Sequence, residues 1–428
     1  MTGKPLGSGY WKLWTSSALS NLADGVMKVA LPLVAIRYTD SPALIAGLTF
    51  AFTLPWLVFA LLAGALGDRF DRRRLMLLAN TARAAFLACL TVATVAGAGT
   101  IWLLYAAGVC IGVAETVYDT SSQSILPQLV GKDALSRANG RLYAAELTTN
   151  QFVGPPLGGF LVAVGVGLAF GAPVLLWVAA IGMLLLVRGR FSTDHPRTTT
   201  IRADIAEGLR FLRGNTLLRT LAVMVGGFNF ASSAVFTVFV LYAVGPHSAM
   251  RLTDPGYGVL LTASALGSVL GTFLSEPAER LLGRSRALTL TIVGSLLTVA
   301  SPAFTTNPVV IGAAFFVGGI TVSIWNVITV SLRQRVTPQH LLGRLNSAYR
   351  LLAWGTMPLG AAAAGVIAQL FGIPAVFLSM GTLVLCLVIG MFWVTDARMA
   401  EAEAEAERSD AAAHAATRAA TRAATREG

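Results

Sequence analysis

Residues 64–74 read Gly64-Ala-Leu-Gly-Asp68-Arg69-Phe-Asp71-Arg72-Arg73-Arg74, a knot of charge between two apolar runs at 43–67 and 75–96. At about 1.5 Å of rise per residue, either run as a helix crosses a hydrocarbon core of about 30 Å. Four arginines within six positions stay out of lipid, and clusters of this kind are retained on the cytoplasmic side. Outward from this loop the pattern recurs. Twelve spans are expected, at 14–36, 43–67, 75–96, 101–121, 139–164, 169–188, 217–244, 256–278, 287–305, 308–332, 342–369 and 374–395. Gly and Pro within them do not forbid helix, since both are common in membrane spans.

Composition agrees. The 428 residues are 55% hydrophobic and only 12% charged, with mean hydropathy +0.69, whereas soluble domains carry about 25% charged residues. A soluble enzyme, a disordered chain and a disulfide scaffold are excluded. Cys89, Cys110 and Cys386 lie in apolar runs without metal-ligand spacing and read as small hydrophobes. No cleavable signal is expected, because the first apolar run lacks a small-residue cleavage site.

The net charge of +11 is a topology signal. With the N-terminus in the cytoplasm, 23 of the 32 basic residues fall in inside loops and the central link, against Arg37 and Arg251 outside. A nucleic-acid partner would need a basic soluble domain, and none is present. The expected location is the cell membrane, multi-pass, with both termini cytoplasmic.

The chain also repeats itself. Ser136-Arg137-Ala138-Asn139-Gly140 and Gly343-Arg344-Leu345-Asn346-Ser347 are offset by 207 residues, as are Asp119 and Asn326, and Ser124 and Ser331. The expected fold is all-α and integral to the membrane: twelve transmembrane helices in two pseudo-symmetric six-helix bundles. The bundles are 1–188 and 217–395, joined by a cytoplasmic linker at 189–216 and followed by a low-complexity tail at 396–428. In parallel duplications of this kind the substrate site lies near the midplane, between the halves. Within Ile201–Leu218, Leu209, Phe211 and Leu212 are expected to rest on the membrane surface, with Arg210 and Arg213 near headgroups. The tail reads as a frayed or solvated helix, or alternatively as a binding arm.

Six plus six spans, the long link and the 64–74 loop resemble the major facilitator superfamily, whose motif between spans 2 and 3 is Gly-x-x-x-Asp-Arg-x-Gly-Arg-Arg. Asp71 departs from it, standing where the motif has Gly. That form, with Asn21-Leu-Ala-Asp24-Gly25 and Arg333-Gln-Arg-Val-Thr-Pro-Gln-His-Leu-Leu-Gly-Arg344, resembles the branch of siderophore exporters and macrolide efflux pumps. The resemblance covers residues 12 to 396. It implies a cytoplasmic gate built from Gly64, Asp68, Arg69, Asp71, Arg72 and Arg73, in which Asp68 and its neighbours latch helix ends; positive-inside retention accounts for the arginines as well. Gly154-Pro155-Pro156-Leu157-Gly158-Gly159 resembles the antiporter motif of exporters in span 5. Its small residues four apart also suit close helix packing.

Ionisable residues inside spans are functional candidates by default. Asp24 and Lys28 are one turn apart, as are Glu115 and Asp119, two carboxylates that cannot easily both be charged. Arg83 and Glu115 lie at equal depth in adjacent spans, so they are expected to pair. Glu146, early in span 5, is the weaker candidate. The second half offers Asn229, Trp325 and Asn326, and with Asn21, Trp56 and Trp354 these are expected to line a cavity or to pack. Trp102 and Trp393 fit the interfacial belt.

The expected function is proton-coupled antiport, exporting a bulky, largely apolar drug, antibiotic or siderophore by alternating access. The proton gradient drives it, no cofactor or metal is required, the bilayer is the surrounding partner, and a monomer suffices. An uptake symporter on the same scaffold is the alternative. A multi-span membrane enzyme or lipid-handling protein is more remote, because His195, His247, His340 and His414 are scattered and no phosphate-binding loop is present.

Overall fold

The computed structural model describes residues 6–130, 134–189, 191, 201–338 and 341–408; the side chains of 60–69, 123, 136, 201–205, 343, 347 and 350 are outside that description. The first half contains α1 (Ser8–Ala35), α2 (Pro42–Arg69), α3 (Arg72–Val95), α4 (Ile101–Leu129), α5 (Leu135–Glu146), a π-helical turn (Leu147–Val153), α6 (Gly154–Val164) and α7 (Val166–Leu185). Then come α8 (Ile201–Gly214), α9 (Thr216–Ala243), α10 (Asp254–Leu282), α11 (Arg284–Phe304), α12 (Pro308–Val336), α13 (Leu342–Phe371) and α14 (Ile373–Cys386), which continues as a 3₁₀ turn (Leu387–Phe392).

Among the described residues, eleven helices are long and apolar enough to cross a membrane. The expected span at 139–164 is instead built from α5, the π turn and α6 in uninterrupted succession. The reason is local. Pro155 and Pro156 offer no N–H to the carbonyls four residues back, and their rings press on that preceding turn. A wider π turn relieves the crowding, as such turns commonly do at functional sites.

Polar caps set the start of several spans. Thr100, Asn215, Thr253 and Asn307 each accept a hydrogen bond from a backbone N–H in the first turn. Large apolar side chains such as Leu78, Val92, Leu175, Phe273 and Val309 stand exposed on the outer surface, as expected of a face that meets lipid rather than water.

The same neighbours recur in both halves. α1 packs on α6 and α7, α2 on α4, and α3 on α4 and α7; correspondingly α9 packs on α13 and α14, α10 on α12, and α11 on α12 and α14. These are two lobes of one design. They meet where α6 crosses α10 and α2 crosses α13, itself a symmetric pair of contacts.

Two segments outside the spans have tertiary partners. α8 is held by protein on one side. It packs on α13, with Leu212 buried, Gly208 against the Arg344 carbonyl, and Glu207 paired with Arg344. The start of the tail is a helix with most of its residues exposed. The helical stretch 396–408 docks on the second lobe, with Met399 buried, Asp396 accepting from the Ser285 backbone N–H at 3.0 Å, and Glu403 paired with Arg284 at 2.8 Å. In both places a buried apolar side chain, Leu212 or Met399, meets protein and a partly exposed ion pair joins it. The rest of the tail, 409–428, is outside the described residues.

Candidate functional site

The first lobe buries an arginine completely. Arg83, from α3, donates through Nη1 to Asp24 Oδ1 at 2.9 Å and Oδ2 at 3.1 Å, and through Nη2 to the Ala114 carbonyl at 3.4 Å. Its guanidinium lies over the rings of Tyr118, 5.0 Å away, and Trp177, 5.7 Å away. Two features of that packing were expected: an acid in α1 and a depth match between α3 and α4. The partners were not. Asp24 takes Arg83 rather than Lys28, and Arg83 takes Asp24 rather than Glu115. A rigid guanidinium that bonds both carboxylate oxygens through one nitrogen and lies over two aromatic rings is better fixed than an ammonium on a flexible stem.

Lys28 is released for another task. It is exposed, lines the cavity between the lobes, and donates to Asn150 Oδ1 at 2.5 Å in the π turn. Asn150 Nδ2 in turn reaches Asn21 Oδ1 at 3.5 Å. Glu115 is buried with Oε2 lacking any hydrogen bond. Asp119 is half-buried, and both acids lie within electrostatic reach of Arg83. Glu146 ends α5 exposed, within reach of Lys28. The polar cluster therefore extends from the cavity wall at Lys28 into the lobe at Glu115.

The cavity, about 370 Å³, is walled by both lobes, with Met27 and Phe52 on one side and Asn229, Phe236 and Met357 on the other. Trp325 and Asn326 are not part of it. They line a separate pocket inside the second lobe, which Asn229 also borders. Trp354 meets Trp56 edge to face at 5.1 Å across the lobe boundary.

The span 5 glycines are seams. A Cβ on Gly154 would lie 2.6 Å from Gly25 Cα, and one on Gly158 would lie 2.7 Å from the Val26 carbonyl oxygen, so α6 sits directly on α1. Gly159 faces the other lobe, 2.3 Å from the Asp254 carbonyl oxygen on the same measure, while Gly258 of α10 meets the Pro155 carbonyl oxygen at 2.4 Å. Beside this crossing Arg37 pairs with Asp254 at 3.0 Å. The lobes are thus closed together on the face distal to the linker.

On the linker face, Asp71 caps α3 by accepting from the Arg74 N–H at 3.0 Å, and also accepts from the Phe191 N–H at 2.7 Å. Glycine could do neither, which explains the departure from the motif. Arg72 donates to the Ser124 carbonyl, and Arg73 to those of Leu184 and Leu185, so these arginines staple the ends of α4 and α7 within one lobe. The side chains of Gly64, Asp68 and Arg69, central to the expected latch, lie outside the described residues.

Sequence reasoning missed Asn150, Tyr118, Trp177 and the Arg37–Asp254 pair. Asn150, a polar residue within a span, carried a usable signal; the ion pair joins residues 217 positions apart and carried none.

A family model described as transmembrane secretion effector matches residues 5–428. The chain belongs to this family of major facilitator transporters. The transporter is 28% identical over 381 residues to the multidrug efflux pump Tap of Mycolicibacterium fortuitum, covering 83% of this chain and 88% of that one. It is 25% identical over 341 residues to the enterobactin exporter EntS of Citrobacter koseri, covering 77% and 78%. Its fold matches the nucleoside transporter NupG with TM-score 0.71 at 13% identity, covering 90% and 98% of the two chains. A bacterial homologue of the iron transporter ferroportin, in an inward-facing state, matches with TM-score 0.72 at 16% identity, covering 91% and 99%. The transporter is a membrane protein, and neither its fold nor its relatives are those of enzymes.

Proposed function

We propose that the transporter exports a bulky, largely apolar small molecule in exchange for inward-moving protons. The observation that carries this reading is the polar cluster that begins at Lys28 on the cavity wall and runs through Asp24 and Arg83 to Glu115. Carboxylates gathered around buried Arg83 change the net charge of the lobe interior whenever one takes or loses a proton. A lobe whose charge changes switches its preference between two docked arrangements, and cargo needs only differential affinity for those arrangements. The mostly apolar cavity walls suit hydrophobic cargo, and two relatives bear the names of exporters.

In this reading the linker face is cytoplasmic, the membrane is the cell's inner membrane, the driving force is the proton gradient, and one chain suffices. Inside-out membrane vesicles given an imposed pH gradient and a hydrophobic fluorescent dye test it. Wild-type protein is expected to accumulate dye in the lumen, and Asp24→Asn to abolish the gradient-driven part while still inserting and folding. Wild-type rates in Asp24→Asn, or dye flux indifferent to collapse of the gradient, overturn the coupling; accumulation in right-side-out vesicles instead favours uptake.

A further inference from the structure

The two lobes can be registered on their helix starts: Ser8 on Thr216, Arg72 on Arg284, Ile101 on Pro308 and Val166 on Ile373. The register is supported by packing, since it sets Gly25 against Ser233 and sends both to the corresponding helix of their own lobe. Gly25 abuts the Asn150 carbonyl oxygen, and Ser233 bonds that of Met357 at 2.8 Å. In this register Arg83 corresponds to Ser295, Glu115 to Val322, Asp119 to Asn326, and Trp177 to Val384. Every one of these second-lobe residues lines a single pocket of about 70 Å³. Where the first lobe is filled by a guanidinium and its acids, the second has a pocket whose lining carries no charged side chain.

Three polar groups converge on that space without being used up. Ser295 is 8% exposed, and its hydroxyl makes no hydrogen bond among the described residues. Neighbouring Thr291, in contrast, donates to the Leu288 carbonyl at 2.6 Å. Asn229 donates to the Ala353 carbonyl at 2.8 Å, which leaves its Oδ1 to accept. Asn326, also on the pocket wall, is exposed to it. The other walls are apolar side chains, with Trp325 in the place of Tyr118. A concave, mostly apolar site with a few convergent polar groups is the usual form of a small-molecule site. Asn229 borders both this pocket and the cavity between the lobes, so the two adjoin.

We propose that this pocket is a cargo subsite, receiving one uncharged ring that carries a hydroxyl or amide group while the bulk of the molecule lies in the central cavity. The proposal rests on the export reading for the word cargo, but the site can be tested without transport. Full-length transporter in nanodiscs of fixed lipid composition is titrated with phenol and with toluene, binding being followed by ligand-observed NMR against empty nanodiscs. Phenol is expected to bind more tightly than toluene. Ser295→Ala, which keeps the space and removes the hydroxyl, is expected to weaken phenol about fivefold and toluene hardly at all. Ser295→Leu fills the space and is expected to remove both by at least tenfold. Phenol binding is read with no pH gradient and no transport, so a failure of proton coupling and a failure of this site are read separately. Identical phenol titrations for wild type and Ser295→Ala overturn the subsite even if Ser295→Leu does not fold, as does toluene binding that equals phenol binding.

Discussion

Arg83 of the first lobe and Ser295 of the second hold corresponding places in one duplicated scaffold, and they mark where the lobes part company. Around Arg83 the helices enclose Asp24, Glu115 and two aromatic rings. Around Ser295 they form a pocket bordered by amides, aliphatic groups and the rings of Phe228 and Trp325. Neighbour contacts, seams and lobe-to-lobe crossings are shared; buried charge is not. Helix packing is satisfied by shape alone and survives divergence, whereas a buried charge persists only if all its partners persist with it. The division suits a carrier in which one lobe handles ions and the other holds cargo.

That contrast can be broken most directly at Arg83. Arg83→Met leaves buried Asp24 without its ion-pair partner, and a loss of about 3–5 kcal/mol is expected, read as thermal stability in detergent. Adding Asp24→Asn recovers much of it. Ser295→Ala is expected to cost less than about 1 kcal/mol, because no hydrogen bond is lost; equal losses at the two positions would erase the distinction between the lobes.

The shared crossing is tested next. Gly159→Val forces side-chain atoms into the Asp254 backbone, and overpacking of about 1–3 kcal/mol is expected to hold the distal face open. A cysteine placed beside it should label about tenfold faster, with transport reduced to match. Smaller again are the helix caps that both lobes use on the linker face. Asp71→Ala and Asp396→Ala are each expected to lower stability by about 1 kcal/mol, and thermal melts will show whether the two lobes rely on them equally. Smallest is Arg37→Gln, which removes a partly exposed interlobe pair of at most about 1 kcal/mol. It is expected to change distal labelling less than about fivefold, with the difference fading at high salt.

Much of the fold was legible before any coordinates. Span positions follow from runs of apolar residues, and the duplication shows in the offset of Arg137-x-Asn139 and Arg344-x-Asn346. The candidate acids Asp24, Glu115 and Asp119 were legible because charge within a span is rare enough to notice. Their pairings were not. Helical spacing offered Lys28 to Asp24, yet Arg83 arrives from another helix with better geometry. The span 5 motif announced close approach without saying to what; only the packed lobes show Gly154 and Gly158 on α1 and Gly159 on α10. The docking of α8 and of 396–408 was hidden because amphipathic patterning looks the same whether the apolar face meets lipid or protein.

The amino-acid sequence by itself determined that this chain crosses a membrane many times as two related halves, since transfer of side chains from water to hydrocarbon depends on composition along the chain. Tertiary structure alone decided which acid holds the arginine, which glycines join the lobes and which asparagine receives the lysine. Those outcomes depend on the distance between atoms brought together from remote positions, and linear spacing carries no record of it.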